Sequence, residues 1–142
     1  MKRKIALDVG DKRIGVAVSD LMGICANPRE TYNRRGSAEE DAAYFADYAK
    51  KEDADAFVVG LPKNMDGTEG DRAKITREFG ALLESVSGLP VIYQDERLTT
   101  VSAERMLIDA DVRRDKRKKV IDKVAATIIL QSYLDGRRPN GL

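Results

Sequence analysis

The sequence predicts an α/β domain with a mixed central sheet, an antiparallel hairpin region joined to parallel strands by crossover helices. Two observations at the level of pattern predict it. Residues 5–9 and 14–19 are short, β-branched apolar runs flanking the turn-rich link Gly10-Asp11-Lys12-Arg13, which reads as an antiparallel hairpin. Beyond residue 37, stretches of helical periodicity alternate with the short apolar runs at 56–60 and 90–94. The resulting order is three strands, helix, strand, helix, strand, helices, which is the pattern of an α/β domain with a mixed sheet.

Each element has its own warrant. Residues 24–33, ICANPRETYN, supply a third strand, and Pro28, which cannot donate to a ladder, puts it at a sheet edge. Ser37 and Glu40 form a capping box, behind which Ala42, Phe45, Ala46 and Ala49 recur at helical spacing. AFVVG at 56–60 is a short buried strand. The Gly- and Pro-rich loop LPKNMDGTEGD, 61–71, leads into a second capping box, Thr68 with Asp71. An apolar stripe follows, Ile75, Phe79, Leu82, Leu83 and Val86, stopping at Gly88. Residues 90–94 form another strand, and after DERLTT a short helix runs through Val101, Met106 and Leu107, with Thr99 and Thr100 as its caps. A basic connector, RRDKRKK at 113–119, precedes a last helix of residues 118–135 that Gly136 ends, with Pro139 beyond. No repeat or low-complexity linker interrupts the chain, so residues 1–142 read as one domain.

Composition narrows the chemistry. The chain is 142 residues long, 42% hydrophobic and 35% charged, which suits a soluble globular domain with a real core. No apolar run approaches the roughly 20 residues of a membrane span, so no membrane partner is expected. MKRKIALDVGD begins basic but meets Asp8 before any signal-peptide apolar region develops. The single cysteine, Cys25, rules out an internal disulfide framework and fits a reducing cytoplasm; it reads as a small apolar filler. There is no histidine, which removes His-dependent triads, zincin motifs and imidazole bases. Catalysis would fall to carboxylates, lysines, hydroxyls or a metal. The net charge of +1 conceals clusters: basic at 2–4, 34–35, 113–119 and 137–138, acidic at 39–41 and 52–55. Such clustering reads either as one positive and one negative face or as a mixed, solvated surface.

Three acids sit where acids are expensive. Asp8 interrupts the strand IALDV; Glu96, beside Asp95, follows the strand PVIYQ; Asp122 lies in the last helix one turn before Ala125 and Ala126. Small residues at 125 and 126 let that helix approach the sheet closely, and the carboxyl ends of strands are where open α/β sheets bind ligands. Three converging carboxylates repel, so they protonate or bind a cation. Hard oxygen donors suit Mg²⁺ or Mn²⁺, and such a site hydrolyses phosphodiesters without histidine. The alternative is structural: Asp8 bonded to backbone or to Arg13, and Glu96 paired with Arg97.

Four blocks carry a resemblance that covers the chain nearly end to end: ALDVGDKRIGVAVSD at 6–20, VVGLPKNMDGTEG at 58–70, DERLTTVSAE at 95–104 and KVIDKVAATIILQSYL at 119–134. In that order and spacing the chain resembles the YqgF family, also called RuvX, whose fold is RNase H-like. The resemblance implies a carboxylate triad that maps onto Asp8, Glu96 and Asp122 as catalytic residues and metal ligands. It also implies a nuclease, acting either in maturing the 5′ end of precursor 16S rRNA or on branched DNA. The related RuvC resolvases carry a further acid one turn later in the last helix, where this chain has Ala125 and Ala126, so its metal site is leaner.

The remaining motifs suit a nucleic-acid partner. In LPKNMDGTEGD, Gly67 and Gly70 let a phosphate backbone approach a helix start, with Lys63 and Asn64 beside it; the other reading is a plain tight loop. Lys12 and Arg13 in the hairpin link and Arg97 after Glu96 are further candidate phosphate contacts, with Arg13 read equally as a structural partner of Asp8. Arg113, Arg114, Lys116, Arg117, Lys118 and Lys119 put six positive charges in seven residues just before Asp122, which suits a nucleic-acid backbone or else a solvated connector. With 6% aromatics and no Trp, recognition falls to backbone and shape rather than stacking. Two other classes compete. An actin-like nucleotide-binding fold also places Asp-x-Gly before a hairpin but needs two such halves, and a nucleic-acid-binding module would keep its acids for stability alone. The sequence leaves monomer and homodimer open.

Overall fold

A computed structural model describes residues 2–64, 66–96 and 114–136, the last segment as backbone only as far as 122. Its elements are β1 (Arg3–Val9), β2 (Arg13–Ser19), β3 (Ala26–Asn33), α1 (Ala38–Glu52), β4 (Ala54–Leu61), α2 (Asp71–Ser87), β5 (Val91–Asp95) and α3 (Arg114–Gly136). The strands form one mixed sheet in the order β3-β2-β1-β4-β5. β1 pairs antiparallel with β2, and β2 with β3, while β1, β4 and β5 run parallel. The mixed α/β architecture read from the sequence is therefore the one observed, and β3 with Pro28 lies at an edge as expected.

Period-two alternation divides the sheet's two faces. Ile5, Leu7, Val9, Ile14, Val16, Val18, Phe57 and Val59 face α1 and α2, where Phe45, Phe79 and Leu83 close a core. Ala6, Ala17 and Val58 face α3, whose Ala126, Ile129, Leu130 and Leu134 pack onto them. Small residues on both partners bring α3 close to β1 and β2. The parallel strands β1, β4 and β5 all end on one side of the sheet, and that shared end carries Asp8, Gly60, Asp95 and Glu96.

Several expectations are corrected in detail. Ser37 caps α1 as read, its hydroxyl accepting from the Glu40 N–H at 3.1 Å. The second capping box does not form. α2 begins at Asp71 with Gly70 as an uncapped N-cap, and the Thr68 hydroxyl instead donates to Asp66 at 2.6 Å. Ile75 and Val86 of the expected stripe are 49% and 45% exposed. The buried side of α2 uses Ala73, Thr76 and Gly80 beside Phe79 and Leu83, and a Cβ on Gly80 would strike the Tyr93 hydroxyl. Residues that small carry no hydrophobic signal. Gly88 ends α2 in the left-handed conformation, as expected. The basic connector is not a connector: residues 114–119 are already helical. Lys and Arg are good helix formers, and that propensity outweighs both their mutual repulsion and the unfavourable meeting of cations with the positive end of the helix dipole. Asp41 is not a surface acid but is buried, accepting from Tyr32 Oη at 2.8 Å, Arg34 Nε at 2.8 Å and the Arg35 N–H at 3.1 Å. The helix expected through Val101, Met106 and Leu107, with Thr99 and Thr100, lies outside the described residues, as do Arg97 and Arg113.

Candidate functional site

Asp8 stands where β1 runs out of core. Its side chain shares the α3 face with Ala6, and in the antiparallel register it lies opposite Gly15. Glu96 is the first residue after β5, its N–H donating to the Leu61 carbonyl at 3.2 Å. That bond turns the chain so that the Glu96 side chain lies across Gly60 at the end of β4. A Cβ on Gly60 would sit 2.7 Å from Glu96 Oε2 and against Ile129 Cδ1 of α3. The missing side chain at 60 is therefore the slot that admits the carboxyl between sheet and helix.

Asp8 and Glu96 meet there and share a hydrogen bond. Burial, then the charge and hydrogen bond of Asp8, push the Glu96 carboxyl up to about 9, with Asp95 adding to the rise and Arg72 opposing it. At neutral pH the pair holds a proton between its two carboxyls, a property of the pair rather than of either residue. Glu96 Oε2 is buried without a hydrogen-bond partner among the described residues. An orphaned carboxyl oxygen costs stability, so a ligand there is the natural complement.

The third expected acid, Asp122, lies on α3 three and four residues before Ala125 and Ala126, both fully buried against the sheet. Its helix position thus falls on the sheet-facing side. Its side chain is outside the described residues, among which no group of three acids suited to a metal occurs.

The expected phosphate contacts divide. Lys12 is exposed in the β1–β2 link, and Arg13, at the start of β2, shares by alternation the face of Gly15 and Ala17, hence of Asp8. Lys63 is half-buried near Glu69, whose carboxyl its charge helps to lower, after the larger effect of the Arg77 bond. Asn64 builds the loop: its side-chain amide donates to Thr68 Oγ1 at 2.9 Å and its N–H to the Thr68 carbonyl at 2.8 Å. Arg114, Lys116, Arg117, Lys118 and Lys119 lie along the first turns of α3. One residue escaped the sequence reading. Arg72, in the first turn of α2, donates from Nη1 to Asp11 Oδ1 at 2.6 Å and bears electrostatically on Glu96. Nothing local marks it, because its partners lie far away in the chain.

Comparison with known proteins gives the family and the fold. A Streptococcus thermophilus protein named "Putative pre-16S rRNA nuclease" is 52% identical over 135 residues, 94% of this chain and 97% of its own. A Symbiobacterium thermophilum protein of the same name is 53% identical over 131 residues, covering 92% and 90%. Among solved structures, Thermus thermophilus RuvC aligns with a TM-score of 0.55 over 95% of both chains at 13% identity. The complex of T. thermophilus RuvC with a Holliday junction substrate gives 0.53 at 12% identity over 96% of both chains. At those identities the likeness establishes the RuvC-like, RNase H-type fold. Residues 2–136 match the RuvX family, described as Holliday junction resolvase, and with relatives at such identity over nearly its whole length the chain belongs to that family.

Proposed function

We propose that this chain is a divalent-metal-dependent nuclease that cuts phosphodiester bonds in structured nucleic acid, with precursor 16S rRNA as its substrate in the cytoplasm. The observation that carries the reading is the Asp8–Glu96 pair, two hydrogen-bonded carboxyls at the carboxyl ends of parallel strands with Glu96 Oε2 buried and without a partner among the described residues. A pair kept only for stability would satisfy its oxygens. The choice of RNA follows the names of the relatives at about half identity.

The donor set fits a hard cation. Asp8 and Glu96, joined by Asp122 from α3, would hold Mg²⁺ or Mn²⁺ through oxygens alone. When bound, the ion offsets the carboxylate charge, activates a water and stabilises the leaving oxygen. The chain's own residues prepare that chemistry. Gly60 leaves the space in which the Glu96 carboxyl lies, and Asp8 is hydrogen-bonded to that carboxyl, which must release its proton before it can act as a ligand. The basic first turns of α3, Arg114 to Lys119 with Arg113 before them, meet the phosphate backbone, as do Lys12, Arg13, Lys63 and Arg97.

Junction cleavage is the second reading, favoured by the family's description as Holliday junction resolvase. Against it, the turn after Asp122 holds the buried Ala125 and Ala126, with no acid there. Incubating the purified chain with precursor 16S rRNA and with a four-way DNA junction, in Mg²⁺ and in chelator, tests both. Metal-dependent cutting of the RNA alone supports the first reading; cutting of the junction alone supports the second. No cutting of either overturns both.

A further inference from the structure

The β1–β2 link and the start of α2 are separate in sequence but joined by one ion pair, Asp11 to Arg72 at 2.6 Å. Asp11 follows Asp8 by three residues, so the pair stands beside the carboxylate site. The two side chains are 78% and 52% exposed. A pair that open contributes little to stability and separates readily. A guanidinium has five N–H donors in a fork that matches two phosphate oxygens as well as it matches a carboxylate. Its charge already acts on Glu96 across the site. Lys12 stands exposed beside Asp11 in the same link.

We infer that Arg72 is a substrate contact, binding a phosphodiester of the nucleic-acid backbone next to the cleavage site, and that Asp11 holds its place until the substrate arrives. The inference rests on the nuclease reading and adds to it the residue that seats the backbone. Asp11 competes with phosphate for the same donors. It keeps the guanidinium aimed at the mouth of the site and makes weak, nonspecific binding less favourable, because every phosphate must first displace it. The contact is to backbone, so RNA and DNA of the same secondary structure share it.

The test is equilibrium binding in chelator, where nothing is cut, to a fluorescent RNA hairpin with a single-stranded 5′ overhang and to its DNA counterpart across a salt series. Arg72→Gln weakens binding roughly tenfold and makes the slope of log affinity against log salt shallower by about one. Arg72→Lys restores the slope while losing part of the affinity, since the charge remains without the fork. Asp11→Asn tightens binding in the wild-type background, and tightens it less in Arg72→Gln. Thermal melts of all variants stay close to the wild type. A slope unchanged by Arg72→Gln in a wild type that binds RNA overturns the inference and leaves the nuclease reading standing. Equal tightening by Asp11→Asn in both backgrounds also overturns it, assigning Asp11 to general repulsion. A wild type that binds neither probe overturns the inference together with the nuclease reading.

Discussion

At the scale of single residues, Asp8 and Glu96 explain each other. An acid inside a strand and an acid just beyond another are legible in sequence because each breaks an apolar run. What sequence cannot show is that they share a proton, since that depends on the slot over Gly60 and on the burial of Glu96. Arg72 was illegible for a similar reason: an arginine in the first turn of a helix is ordinary until Asp11, 61 residues away, is seen bonded to it. Asn at position 8 removes a negative charge from the metal-free site while its side-chain carbonyl can still accept the Glu96 proton. Asp8→Asn therefore folds, is at least as stable as the wild type to urea in chelator, and loses metal-dependent cleavage. A loss of about 3–5 kcal/mol in chelator, the cost of breaking a buried pair, would instead make Asp8 a structural acid.

At the scale of elements, fold and site depend on close approaches that apolar patterns do not announce. The strands and the α1 cap were legible because β-branched runs, a turn-rich link and Ser37 with Glu40 are local signals. The buried face of α2 was misread, because Ala73, Thr76 and Gly80 pack inward while the more conspicuous Ile75 and Val86 stay exposed. The early start of α3 is missed because a run of six cations in seven residues reads as a connector rather than as a helix. Gly60 is where element packing meets chemistry. Gly60→Ala drives a methyl into Glu96 Oε2 and the buried Ile129; it costs about 1–3 kcal/mol in a urea melt and weakens Mn²⁺ binding even where the variant is folded. Asp41 ties α1 to the sheet. It anchors Arg34, which in turn donates to the Gly10 carbonyl at 2.9 Å, two residues beyond Asp8. Burial alone would raise the Asp41 carboxyl, but the bonds from Arg34 and Tyr32 hold it below the usual range. Its contribution is therefore present above the unfolded value near 3.8 and is lost as pH falls through the lower folded value. Asp41→Ala removes the counter-ion of Arg34 and the acceptor of the Tyr32 hydroxyl, and a denaturant melt at pH 7 should show a loss of about 3–5 kcal/mol.

At the scale of the whole molecule, a net charge of +1 is compatible with nucleic-acid binding only if cations are concentrated where the backbone runs. The first turns of α3 supply that concentration beside Asp122. Neutralising Lys116, Arg117, Lys118 and Lys119 together should weaken binding to all sequences alike and flatten its salt dependence; an unchanged salt slope would assign those residues to solvent. The sheet brings the start of this helix and the Asp8–Glu96 pair to one end. The central claim is that the pair exchanges its proton for a cation. Because the Glu96 carboxyl is raised to about 9, a cation must displace a proton throughout the neutral range, and apparent affinity must climb with pH until about 9 and then level. The most direct measurement is calorimetric titration of the metal-free chain with Mn²⁺ at pH 7.5 in buffers of different ionisation enthalpy. The account predicts saturable binding with release of about one proton per site, abolished by Asp8→Asn; binding without proton release, or binding unaffected by Asp8→Asn, would contradict it.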